Sequence, residues 1–169
     1  MNAGFAAGSA TNLNYIYRLN TTGTAITAWT STGIVGSSNG SSSTNPATDL
    51  KLFPDGRALV AYRNSSIQLY SADLATRSYT GTPVVLSTVN SLAIVDNDTF
   101  YVGGVIAAAN AGLIPAASGL DDVFAGASEG VIIRYTLDGS SVPVADWATY
   151  VGGDNPSSAV RTHREKTLL

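Results

Sequence analysis

Apolar and polar positions along this chain fall in short runs, not at helical spacing. No window of a dozen residues keeps apolar side chains at i, i+3, i+4 and i+7 without a Gly, a Pro or a Ser/Thr run. What recurs instead are segments of four or five residues rich in β-branched and aromatic side chains. Tyr15-Ile16-Tyr17-Arg18-Leu19, Ala58-Leu59-Val60-Ala61-Tyr62, Ile67-Gln68-Leu69-Tyr70, Thr99-Phe100-Tyr101-Val102 and Val131-Ile132-Ile133-Arg134-Tyr135 are the clearest, and side chains of these types pack well on a pleated surface. Turn signals separate them: Thr22-Gly23, Pro54-Asp55-Gly56, Asp96-Asn97-Asp98, Asp138-Gly139 and Gly152-Gly153. The pattern predicts many short antiparallel strands.

Self-similarity refines this picture. The stretch Leu50-Lys51-Leu52-Phe53-Pro54-Asp55-Gly56-Arg57-Ala58-Leu59-Val60 aligns without gaps on Leu92 to Val102, an offset of 42 residues. Each copy reads as a hairpin of apolar strand, acidic turn and apolar strand. A second pair also repeats: Tyr15 to Gly23 matches Val131 to Gly139, and a strand with a Trp follows each, Trp29 in one and Trp147 in the other. Together these give a four-strand unit of about 40 to 45 residues, the spacing of a propeller blade.

Laid end to end, the units form a domain over 1–153, with a partial blade at 13–31, a blade at 48–86 and a blade at 90–151 that carries an insertion at 105–128. The insertion is apolar from Val105 to Pro115, and a short helix or an apolar interface loop is expected there. The expected fold is all-β, made of four-stranded antiparallel blades of the β-propeller type in an incomplete ring; a β-sandwich is the alternative. Closing a ring takes four to eight blades, so two and a half leave open edges and uncovered apolar faces that favour pairing with another chain. A homo-oligomer is expected. If the chain is a piece of a longer product, the same edges would be satisfied in cis. Residues 154–169 differ in composition and read as a disordered tail, an interaction strand or a vector-derived remnant.

Composition narrows the partners. Gly, Ser, Thr and Asn are abundant, whereas charged residues make up 12% of the chain, about half the share in ordinary soluble domains. Nine Lys and Arg scattered among twelve Asp and Glu supply no basic stripe, so no nucleic-acid partner is expected. No membrane span is expected either, because the longest apolar stretch, Val102 to Ala117, is short and broken by Gly103, Gly104, Asn110, Gly112 and Pro115. No basic segment precedes an apolar stretch at the N-terminus, so no secretion signal is expected. The absence of Cys removes thiolate nucleophiles and Cys-based zinc sites.

The last unit resembles the bacterial seven-bladed β-propeller repeat family. The resemblance is carried by Ser91 to Asp96, Phe100-Tyr101-Val102-Gly103-Gly104, Glu129 to Tyr135, Asp138-Gly139-Ser140 and Trp147-Ala148-Thr149-Tyr150-Val151-Gly152-Gly153. Glu129 stands where the family usually has Asp, and the turn at Asp96-Asn97-Asp98 lacks the family's Gly. The resemblance implies a blade assembly in a bacterial protein, often extracellular or at the cell surface. It implies no enzymatic activity.

Candidate chemistry is sparse. The one His, His163, lies in the C-terminal segment, so a Ser-His-Asp arrangement would need that segment to fold back. Asp121, Asp122 and Glu129, converging with Asp96 or Asp98 at one rim, are the candidate ligand-binding residues. Paired carboxylates there would suit a hydrolase or lyase, or a calcium ion. Their alternative reading is as turn and strand-start residues bonded to local N–H groups. Ten Tyr and Trp side chains, among them Tyr15, Tyr17, Trp29, Tyr101 and Trp147, either fill the space between sheets or stack on a carbohydrate or other small molecule. The functional expectation is a non-enzymatic structural or ligand-binding module, the carboxylate enzyme being the alternative.

Overall fold

A computed structural model describes residues 13–35, 45–63, 66–81, 86–107, 124 and 127–151. They form ten strands: β1 (Leu13–Leu19), β2 (Ile26–Val35), β3 (Ala47–Leu52), β4 (Ala58–Tyr62), β5 (Ile67–Tyr70), β6 (Arg77–Gly81), β7 (Thr88–Ile94), β8 (Thr99–Ala107), β9 (Ser128–Leu137) and β10 (Pro143–Val151). There is no helix among the described residues. β1–β2 form a two-stranded sheet, and β3–β4–β5–β6 and β7–β8–β9–β10 form two four-stranded antiparallel meanders. The chain is therefore all-β, and its sheets form no closed barrel among the described residues. This arrangement fits an incomplete propeller or an open sandwich.

The turns follow one chemistry. In four of the hairpins a side-chain carboxylate or amide accepts backbone N–H groups of the turn: Asn20 from Thr24, Asp73 from Ala75, Asp96 from Thr99 and Asp138 from Val142. At the β3–β4 turn Asp55 accepts from Arg57 N–H, and Gly56 has φ 89°, a backbone conformation that L side chains rarely adopt.

Three sheets stack in chain order, and the central strands β4 and β5 of the middle one are buried on both faces. Every residue of β4 and β5 is buried. One face, with Phe53, Leu59, Ile67 and Leu69, packs on Val102, Ile133, Tyr135 and Ala148 of the last sheet, and β7 lies against β3 and β4. The other face, with Ala58, Val60, Tyr62 and Tyr70, packs on Ile16 of the first sheet. In β9 burial alternates residue by residue, as expected of a sheet covered on one side.

The repeat seen in the sequence is structural. β3–β4 is irregular between Ala47 and Asp49, and β7–β8 between Val89 and Ser91, so the extra residues are Thr48 and Asn90, 42 apart. At the second bulge Gly104 is required, because a Cβ there would stand 2.3 Å from the Thr88 carbonyl oxygen. Close strand approach is thus what the Gly103-Gly104 doublet allows. The hairpins β1–β2, β5–β6 and β9–β10 share another bulge, with Thr27, Ser78 and Asp146 as the extra residues.

One expectation changes in detail. β8 continues through Val105-Ile106-Ala107, with Ile106 fully buried, so the chain leaves the hairpin after 107 and not at 105. The rest of the expected insertion, apart from Phe124, Ala127 and Ser128, and the 154–169 segment lie outside the described residues.

Candidate functional site

Two regions merit consideration: the end of the sheets where the hairpin turns gather, and the uncovered faces of the first and last sheets. At the turn end, Asp55 N–H donates to Asn97 Oδ1 at 3.0 Å. Arg57 bonds Asp55 Oδ2 at 2.7 Å, donates to the Asn97 carbonyl, and reaches Asp98 at 3.5 Å. Its guanidinium also lies 5.0 Å from the Phe53 ring centroid. Deeper along the same junction, Asp49 Oδ2 accepts the Leu92 N–H at 2.8 Å. These contacts join β3–β4 to its repeat partner β7–β8.

The sequence candidates are scattered. Asp96 and Asp98 sit in the β7–β8 turn at this end. Glu129 lies opposite Ile106 at the start of β9, while Thr99, next to the turn, lies opposite Thr136. Seven residues of strand separate the two ends, roughly 23 Å at 3.3 Å per residue. Glu129 therefore does not converge with Asp96 or Asp98. It is buried on the face turned toward the middle sheet. Asp121 and Asp122 lie outside the described residues. Among the described residues no three acidic or His side chains cluster as a metal site would require.

The acids near the turns are committed to local bonds. Asp96 accepts N–H groups from Asp98 and Thr99, which hold its carboxyl below the ordinary value of 3.8. For Asp55 and Asp49 burial opposes ionisation, but Arg57 at one and the Leu92 N–H with Lys51 at the other more than offset it. Asp146 is lowered chiefly by its bond from Arg134 at 2.8 Å. Burial pushes the Tyr62, Tyr70 and Tyr135 hydroxyls upward.

These directions set the pH dependence. Lowered carboxylates stabilise the fold above their unfolded value near 4 and lose that contribution as pH falls through their folded values; raised tyrosines stabilise below about 10 and lose theirs as pH rises. Unfolding free energy measured by urea titration should therefore be level between about pH 5 and 8 and fall on either side. A steep change near pH 6 to 7 would show that a group outside this set controls stability.

The uncovered faces are aromatic. On the outer face of β1–β2, Tyr15 stacks on Tyr17 with ring centroids 6.3 Å apart and lies 6.1 Å from Trp29, whose exposure is 62%. Leu19 and Ile26 are exposed beside them. On the outer face of β7–β10, Trp147 packs edge-on against Tyr101 at 6.1 Å, and Arg134 pairs with Asp146. Ile132 is exposed between the strands.

Sequence reading missed three residues at the junctions. Arg18 Nη1 donates to the Ala72 carbonyl at 2.5 Å, and Arg77 Nη1 donates to that of Thr32 at 3.0 Å, both across the first junction. Gln68, buried in the same junction, is the third. The only advance signal was that Arg18 and Arg134 occupy matching positions in the two aligned segments.

No helix long and apolar enough to cross a membrane occurs among the described residues. Comparison with known protein families, curated proteins and solved structures finds no match.

Proposed function

We propose that the chain is a non-enzymatic structural or ligand-binding module of propeller blades that self-associates through its uncovered sheets. One observation carries this reading. Tyr17 and Trp29, directly opposite each other in β1–β2, hold the register positions that Ile133 and Ala148 hold in the last sheet. Ile133 and Ala148 are fully buried against the middle sheet, whereas Tyr17 and Trp29 are exposed. A large apolar patch of this kind on a small domain marks an interaction surface. The edge of β1 points the same way: β5 and β9, its counterparts, pair with β4 and β8, whereas among the described residues β1 pairs only with β2. Unpaired edges of this sort recruit strands.

Sedimentation velocity over a wide concentration range tests the proposal. The weight-average sedimentation coefficient should rise with concentration, and the rise should persist in high salt because apolar contacts dominate. A compact monomer at every concentration would overturn it.

A further inference from the structure

We propose that the association is head to tail, the outer face of β1–β2 in one copy receiving the outer face of β7–β10 in a second copy. This rests on the self-association reading above and specifies its surfaces. The shared bulges align the sheets residue by residue: Arg18, Leu69 and Arg134 hold one register position, as do Tyr17, Gln68 and Ile133. Both junctions within the chain then join unlike faces. The middle sheet turns Leu59, Ile67, Leu69 and Tyr79 toward the sheet that follows it. The last sheet turns Ile133, Tyr135 and Ala148 toward the sheet that precedes it.

The terminal faces are one of each kind. Tyr101, Ile132, Arg134 and Trp147 match Leu59, Ile67, Leu69 and Tyr79, so the outer face of β7–β10 is of the type that receives a following sheet. Tyr17, Leu19 and Trp29 match Ile133, Tyr135 and Ala148, so the outer face of β1–β2 is of the type that receives a preceding one. A single chain displays both halves of the junction it already contains twice. Two like faces brought together would form a junction for which this chain offers no example.

The charged residue fits the same scheme. Arg18, at the register position of Arg134, crosses the first junction to the Ala72 carbonyl. Arg134 is placed to cross the intermolecular junction likewise, where Tyr15, Tyr17 and Trp29 present ring faces suited to a guanidinium. Such a heterologous contact leaves one face of each kind free, so assembly either closes as a ring or continues as a chain of copies.

Mixing variants of the full chain tests this. Trp29→Lys disables one face and Ile132→Lys the other, both at exposed positions; Tyr15→Lys and Val144→Lys repeat the test at other exposed sites on the same faces. Each variant alone should remain monomeric with its dissociation constant raised at least 100-fold, a loss within the range of interface hot spots. An equimolar mixture of the two should form a one-to-one complex and nothing larger, because one intact junction remains. If either variant alone assembles as the wild type does, or if the mixture stays monomeric, the head-to-tail mode is wrong while self-association stands. A wild-type chain that never associates overturns both readings. Unfolding transitions at the wild-type temperature show that the variants are folded.

Discussion

Replacing Phe100 by Ala is expected to lower the melting temperature by on the order of 10 °C, the largest effect of any single core truncation in this fold. Phe100 is fully buried where the two four-stranded sheets meet. Its ring stacks on Tyr135 with centroids 5.4 Å apart and meets Phe53 edge-on at 6.1 Å. Removing it deletes apolar burial and also leaves a void bounded by two rings on opposite sheets, which cannot collapse without shifting backbones that the Asp49 and Arg57 contacts hold in place. Phe-to-Ala changes at such positions cost about 3 to 5 kcal/mol, a large share of the roughly 5 to 15 kcal/mol that stabilises a domain. Differential scanning calorimetry gives the answer directly. A melting temperature within about 2 °C of wild type would mean that the middle and last sheets do not share this core. Phe100→Leu, which keeps most of the volume, should shift the transition much less.

The periodicity of two residues and the Asx-type turns made most of the strands legible, because each is a local property of the sequence. The 42-residue offset was legible for the same reason, and the structure returns it as a physical contact: Asp55 and Asn97 bond to each other across the junction between their hairpins. Facing was harder to read. Trp29 and Trp147 look like counterparts along the chain, yet Trp29 lies opposite Tyr17 and Trp147 opposite Arg134. Tyr17 and Arg134 stand one register step apart, so the two indoles point to opposite faces of their sheets. The cause is hairpin length: β9–β10 pairs on to Leu137 and Pro143, whereas β1–β2 stops at Leu19 and Ile26, the positions of Tyr135 and Ala145. No count along the sequence shows where a hairpin stops.

The acidic rim shows the same limit. Asp96 and Asp98 could be placed in a turn from their neighbours alone. Glu129 can be placed at a strand start, but its end of the sheet follows from the pairing: β9 runs antiparallel to β8, so its start lies against the end of β8, away from the β7–β8 turn. The length of β8 sets only how far apart the two ends lie, and the expected convergence is lost. Gln68 was hidden for another reason. A Gln between two apolar residues in a strand reads as a solvent-facing position, and it is buried here only because the middle sheet is covered on both sides, a property of the stack and not of the strand.

Gln68→Ala should release β1–β2 from the middle sheet without unfolding the rest. The Gln68 side chain is 1% exposed and uses both ends: Oε1 accepts from Tyr62 at 3.0 Å and Tyr70 at 2.5 Å, and Nε2 donates to the Thr32 carbonyl at 3.0 Å. Truncation takes the shared acceptor from two buried phenols, while the Thr32 carbonyl keeps its bond from Arg77. Each buried donor so deprived costs about 1 to 3 kcal/mol, and the loss falls on the junction between β1–β2 and the middle sheet. Hydrogen exchange should therefore show β1–β2 amides exchanging at least about 30-fold faster, the equivalent of about 2 kcal/mol, with β7–β10 protection unchanged. Equal acceleration in all three sheets would instead make Gln68 a residue of the common core. A compensating variant separates polarity from packing: Gln68→Ile, Tyr62→Phe and Tyr70→Phe together remove donors and acceptors alike, and Ile already stands at the matching register position, Ile133. Because no phenol is left to lose its acceptor, protection of β1–β2 should return most of the way to wild type. If the triple variant is as open as Gln68→Ala, the junction depends on the hydrogen bonds themselves and not on avoiding their absence.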